Sequence, residues 1–192
     1  MSNVEFVKNC IENKKPMTAD FSKALESLKN ESISKDDAEF FKNVYFGIKG
    51  GSDRVGIRNA LLQILVLQCL KYELKEFFLE AFKKERYLDM RLTAIRGYSA
   101  YATEAEVSPL MDKFYSLLIK RPETTPYNYQ EYEMLRSIFG LPYLIEHYGY
   151  DCFKRAMAQL EKQYDDMPDE YKGRITLDEK GDVKITKYRR KE

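Results

Sequence analysis

Histidine occurs once in this chain of 192 residues, as His147, and tryptophan not at all. A single histidine leaves no zinc site of the Cys/His kind and only one imidazole to activate a nucleophile. His147 sits between aromatic residues in "LIEHYGY", a setting that favours a packed ring near a helix end over a catalytic base. The three cysteines, Cys10, Cys69 and Cys152, are odd in number and far apart, so they build no disulfide framework. Their apolar neighbours fit buried thiols in a reducing compartment, and the expected location is cytoplasmic. Long apolar runs are missing too. The longest, Ile64-Leu65-Val66-Leu67, is flanked by Gln63 and Gln68, well short of the roughly 18 residues of a membrane span. "MSNVEFVKNC" has no basic start followed by an apolar stretch, so no secretory signal is expected. The formal net charge of +1 lacks the basic excess of a dedicated nucleic-acid binder. Also absent are G-x-S-x-G, the phosphate-loop pattern, G-x-G-x-x-G and H-E-x-x-H. No cofactor, metal ligand set or catalytic residue is therefore assigned.

What the chain does have is helical periodicity. Val4, Phe6, Val7, Cys10 and Ile11 make the stripe of a first helix, over 3–13. Thr18 caps a second, and Ser34 caps a third with acids in its first turn, closed by Gly50-Gly51. Ser52 or Asp53 opens a long helix through Leu70, apolar over much of its circumference and so expected to be the most buried. Leu74, Phe77, Phe78, Ala81 and Phe82 mark the next. Asp89–Ala102 is another, with Met90, Ala94, Ile95, Tyr98 and Tyr101 inward. Thr103 and Glu106 form a capping box for a helix that ends before Pro122. Residues 122–128 read as a loop, "YQEYEMLRSIFG" as a helix stopping at Gly140, and "LPYLIEHYGYDCF" as a short helix broken at Gly149. Asp151 then caps an amphipathic helix carrying Phe153, Ala156, Met157, Leu160 and Tyr164. Beyond it the period changes from helix to strand. Ile175 and Leu177 alternate with polar residues, "DEKG" turns, and Val183 and Ile185 alternate back. The expected organisation is one all-α domain over residues 1–170, with a small C-terminal β-hairpin and basic tail over 171–192.

An internal repeat runs through the middle. "DRVGIRNALLQIL" and "LDMRLTAIRGYSAY" superpose on Arg58 and Arg91, and "YEMLRSIFG" around Arg136 is a degenerate third copy. With an Asp, an apolar residue and an Arg early in paired helices, the pattern resembles HEAT-like repeats, over 53–121 and more loosely 129–166. That resemblance implies a right-handed stack of antiparallel helical hairpins; a generic antiparallel bundle is the alternative.

Carboxylates such as Asp36/Asp37 and Asp165/Asp166 are adjacent in sequence and point about 100° apart on a helix, so they do not converge on one substrate. HEAT-like DNA glycosylases set tryptophans beside a catalytic acid; with no tryptophan here, an enzyme on nucleic acid using Asp89 or Glu133 is the lesser reading. The segment from Pro122 to Glu170 is the unusual one. Its ten acids against four bases give a net −6, and seven tyrosines crowd it. Tyrosines supply rigid contact area, and acids steer a basic partner. "GLPYLIEHYGYDCF", the helical body before it and "MPDEYKGRITLDEKGDVKI" resemble small bacterial immunity proteins of polymorphic or contact-dependent growth inhibition systems. The resemblance implies a non-catalytic protein that binds and neutralises a cognate toxin, many of which are basic nucleases. Immunity interfaces vary from pair to pair, so the family lends no site residues. From the residues themselves the candidate partner-binding set is Tyr127, Tyr129, Tyr132, Asp165, Asp166, Asp169 and Glu170. A helical scaffold for another cytosolic protein is the third reading.

Overall fold

The structure is a computed structural model that describes residues 1–173, 175–177 and 183–185, excluding the side chains of 127–128, 176–177 and 183–185. It is all-α over its body. The helices are α1 (Asn3–Glu12), α2 (Ala19–Leu28), α3 (Lys35–Tyr45), α4 (Ser52–Gln68), α5 (Lys75–Lys84) and α6 (Leu88–Ser99). They continue with α7 (Glu104–Ile119), the short α8 (Arg121–Thr124), α9 (Tyr127–Tyr148) and α10 (Asp151–Asp166). A single 3-10 turn, Asp169–Tyr171, follows.

Side-chain caps set four of the starts. Ser2 and Glu5 make a capping box on α1, Thr18 accepts the Phe21 N–H at 3.2 Å, and Ser34 accepts that of Asp37 at 3.1 Å. Thr103 and Glu106 box the start of α7; the Glu106 carboxylate also meets Lys75 of α5 at 2.7 Å. Two expected caps are elsewhere: Gly51 precedes α4 and Tyr150 precedes α10, neither with a side-chain cap.

The core lies between neighbouring helices rather than along one axis. α2 packs on α4, α4 on α6, and α6 on α9, while α5 and α7 flank α6 and α10 packs on both α7 and α9. Arg58, Arg91 and Arg136 thus lie on α4, α6 and α9, with α6 packed between the other two. This order makes α6, not α4, the most enclosed helix. Nine of its residues are buried, against six in the longer α4. Helix α6 has neighbours on four sides, so residues with no apolar pattern, Asp89 and Ser99 among them, are sealed in as well.

The segment 121–148 departs from its sequence reading. Residues 121–124 form a helical turn, and α9 runs unbroken for 22 residues across Gly140 and Pro142. Glycine costs a helix only about 1 kcal/mol, which packing offsets. A Cβ at Gly140 would lie 3.3 Å from Leu92 Cδ2, so the glycine lets α6 and α9 approach. Leu141 and Leu144, both fully buried, hold the chain on either side of Pro142. The real stop is Gly149, at φ 72°.

Ile175–Leu177 and Val183–Ile185 pair antiparallel, Thr176 opposite Lys184. Ile175 is buried, and the second strand and the 3-10 turn both pack on α9. The expected turn at 178–181 and the basic run after Ile185 lie outside the described residues.

Candidate functional site

Helices α9 and α10 are joined by two residues and pack together, which sets the start of α9 beside the end of α10. The candidate residues divide there. Tyr129 is 61% exposed, and Asp165, Asp166, Asp169 and Glu170 are all at the surface. Asp166 pairs with Lys162 one turn earlier, and Asp169 with Lys172 at 3.2 Å. Lys172 also donates to the Asp165 carbonyl at 2.8 Å, placing a cation where the helix dipole asks for one. The acidic helix end is therefore partly compensated. Tyr132 is not part of an open surface. It is half-buried, and burial pushes its hydroxyl pKa up, with the nearby Arg136 opposing. The Tyr127 side chain lies outside the described residues. Instead of a proline-stiffened loop before these tyrosines, Pro122 sits in α8 and Pro126 is the N-cap of α9.

Two of the ten acids never reach the surface. Glu131 is 0% and Glu133 5% exposed. Glu133 accepts from Arg121 at 3.0 Å and from the Leu88 N–H at 3.3 Å. Arg121 also donates to the Arg86 carbonyl at 3.2 Å, so α8, α9 and the start of α6 share one polar knot. A charge count along the sequence assigns such residues to the surface; their spacing on the inward side of α9, with Met134 and Ser137, was the signal that could have corrected it.

The repeat arginines Arg58 and Arg91 converge on one residue in the α5–α6 connection. Arg58 grips the buried Glu85 carboxylate with two N–H groups, at 3.1 and 3.2 Å, and also donates to the Ile48 carbonyl at 2.9 Å. The Tyr45 hydroxyl donates to the same carboxylate at 2.8 Å, and Arg91 Nε to the Glu85 carbonyl at 2.6 Å. These are internal struts, committed to holding α3, α4, α5 and α6 together.

The third arginine is different. Arg136 Nε stands 3.8 Å from Asp89 Oδ2, too long for a hydrogen bond. Asp89 is 6% exposed and its Oδ1 has no partner; burial pushes the carboxyl up, with Arg136 opposing. Both residues line a cleft of about 390 Å³ between α4, α6 and α9. Arg96, on its wall, sets its guanidinium carbon over the Tyr143 ring at 4.0 Å. Leu67 (46% exposed), Phe139 (50%) and Tyr143 (43%) form an apolar rim. Sequence reasoning missed this cleft, because its members come from three helices about 20 to 45 residues apart along the chain.

Among the described residues no group of three or more His, Cys, Asp or Glu side chains could hold a metal ion. The three cysteines are buried and unbridged, and burial raises the Cys69 thiol to about 11. His147 stacks on Tyr143 at 5.4 Å and meets Tyr148 edge-on at 4.6 Å. Among the described residues no helix is long and apolar enough to cross a membrane. Comparison with protein-family models, with curated proteins and with solved structures finds no match to the chain.

Proposed function

We propose that this chain is a non-catalytic binding protein of the bacterial immunity type, a HEAT-like stack of helical hairpins with a C-terminal β-hairpin, which neutralises a cognate toxin in the cytoplasm by tight association. One observation carries the reading. The carboxylates Asp165, Asp166, Asp169 and Glu170 are exposed at the end of the molecule where Tyr129 also projects, so acid and aromatic area share one face. A basic nuclease domain suits that face: the acids steer its approach and occupy the groove meant for a phosphate backbone, and tyrosine provides the contact. Tyr129 anchors the interface, and the acids guide, Asp165 foremost. Asp166 and Asp169, shared with Lys162 and Lys172, contribute less. The test is binding of the toxin domain encoded by the adjacent gene. Tyr129→Ala should speed dissociation with little change in association rate. Unchanged dissociation would remove Tyr129 from the interface.

A second reading rests on Asp89. A buried acid held up in pKa, in a cleft with two arginines, is an arrangement that enzymes use. Cleavage or base release from DNA or RNA by the purified chain, lost in Asp89→Asn, would favour an enzyme acting on nucleic acid over the binding protein. A scaffold for a non-toxin partner predicts neither activity nor toxin binding.

A further inference from the structure

The cleft between α4, α6 and α9 contains two guanidinium groups with almost nothing to hold. Among the described residues Arg96 has no hydrogen-bond acceptor and no ion-pair partner; the Tyr143 ring lies 4.0 Å from its guanidinium carbon, and the Tyr148 hydroxyl feels its charge. Arg136 makes no hydrogen bond among the described residues; Asp89 approaches it at 3.8 Å, and the Tyr132 hydroxyl feels its charge. Their counterparts in this chain behave otherwise, since Arg58, Arg91 and Arg121 all donate to acceptors at 3.2 Å or less. Arginine presents a rigid fork matched to carboxylate and phosphate oxygens, and stacking on an aromatic ring fixes its orientation while leaving the fork edge open. The 4.0 Å distance of the Arg96 guanidinium carbon from the Tyr143 ring centre fits such stacking.

We propose that this cleft is a binding site for a small anion, a single carboxylate or phosphate attached to a planar or apolar body. The anionic oxygens meet Arg96 and Arg136, and the body lies against Leu67 and Phe139, whose ring makes no ring contact among the described residues. A volume of about 390 Å³ is of the size that encloses a small ligand. Asp89 tunes the site. Two guanidinium groups and one carboxylate leave the cleft one positive charge, enough for one anion but far from the basic stripe that a nucleic acid needs. Asp89 competes with the ligand for Arg136, yet too loosely to saturate it. The site is independent of the acidic end, and the proposal does not rest on toxin binding.

Phenyl phosphate, benzoate and inorganic phosphate, titrated into the full chain and followed by amide NMR shifts, test this and separate the two anion types. At least one of the aromatic anions should bind with Kd of about 1–10 mM, the range reached by fragments of this size, with the largest shifts at residues 89–96 and 136–143. Inorganic phosphate should bind at least tenfold more weakly, because it lacks the apolar body. Arg96→Gln should weaken binding about tenfold or more, and Phe139→Ala severalfold. Asp89→Asn, which keeps the shape but removes the competing charge, should strengthen it. That opposite sign separates an anion site from general damage to the cleft. No binding by either aromatic anion, or Asp89→Asn weakening it as Arg96→Gln does, overturns the proposal. So does a tighter, strongly salt-dependent hold on a single-stranded oligonucleotide through the same residues.

Discussion

The same substitution, glycine to alanine, should have opposite signs at two positions. Gly97 lies inside α6, where an added Cβ would be 2.5 Å from both Cδ1 and Cε1 of Phe78. The ring cannot step aside. Phe78 is 0% exposed, packed edge-on against Phe77 at 5.3 Å and stacked near Tyr101 at 6.3 Å. Relief requires α5 and α6 to separate by about 1 Å, and overpacking this severe falls at the upper end of the usual range, about 2–3 kcal/mol. The helix gains about 1 kcal/mol from alanine, which leaves a net loss of about 1–2 kcal/mol. At this chain length that lowers Tm by roughly 2–8 °C. Gly56, exposed in α4, would set its Cβ 3.5 Å from Met17 Cε, an ordinary contact, so Gly56→Ala should gain about 1 kcal/mol. Urea and thermal unfolding of the two variants beside the parent measure both. A Gly97→Ala protein as stable as the parent would mean that α5 and α6 do not approach as closely as described.

Three further outcomes follow from the interior. Glu85→Ala strands Arg58 and the Tyr45 hydroxyl in a buried setting and should cost about 3–5 kcal/mol in urea unfolding; a loss below about 1 kcal/mol would refute its place at the hub. Ser34→Ala removes the hydroxyl that accepts the Asp37 N–H and should cost about 1 kcal/mol. Asp89 gives a pH dependence. Its carboxyl is raised by burial, so between the unfolded value near 3.8 and the folded one the native state keeps a proton that the unfolded chain has lost. This term therefore weakens stability as pH rises through that window. Asp89→Asn should be more stable relative to the parent at neutral pH than at pH 3. A difference that stays constant across that range would contradict the assignment.

How much was legible in the sequence differs from segment to segment for physical reasons. Caps such as Thr18, Ser34 and Thr103 act within one turn, so four residues suffice to read them. The arginines Arg58, Arg91 and Arg136 were visible as a pattern, but their use was not: Arg58 and Arg91 are spent on Glu85, 27 and 6 residues away. Helix α9 crossed Gly140 and Pro142 because Leu92 and the core around Leu141 and Leu144 hold it, and that support is tertiary. In the candidate site, exposure of Asp165 and Asp166 was readable from the amphipathic end of α10, and Asp169 and Glu170 follow in the 3-10 turn after Pro168. Burial of Tyr132 and Glu133 depended on α6 and α8 packing over α9, which no local window contains.

The central claim, that the chain binds a cognate toxin domain, is tested most directly by association kinetics with such a domain, sought in the adjacent gene. If the acids at the end of α10 and in the 3-10 turn after it steer the partner, as proposed, reversing Asp165, Asp166, Asp169 and Glu170 to Lys should slow association by about tenfold or more at low salt. The difference should shrink toward the parent as ionic strength rises and the Debye length falls to about 3 Å at 1 M. Dissociation should change far less. An association rate equal to the parent's at low salt would contradict the account, as would an adjacent gene product that this chain does not bind.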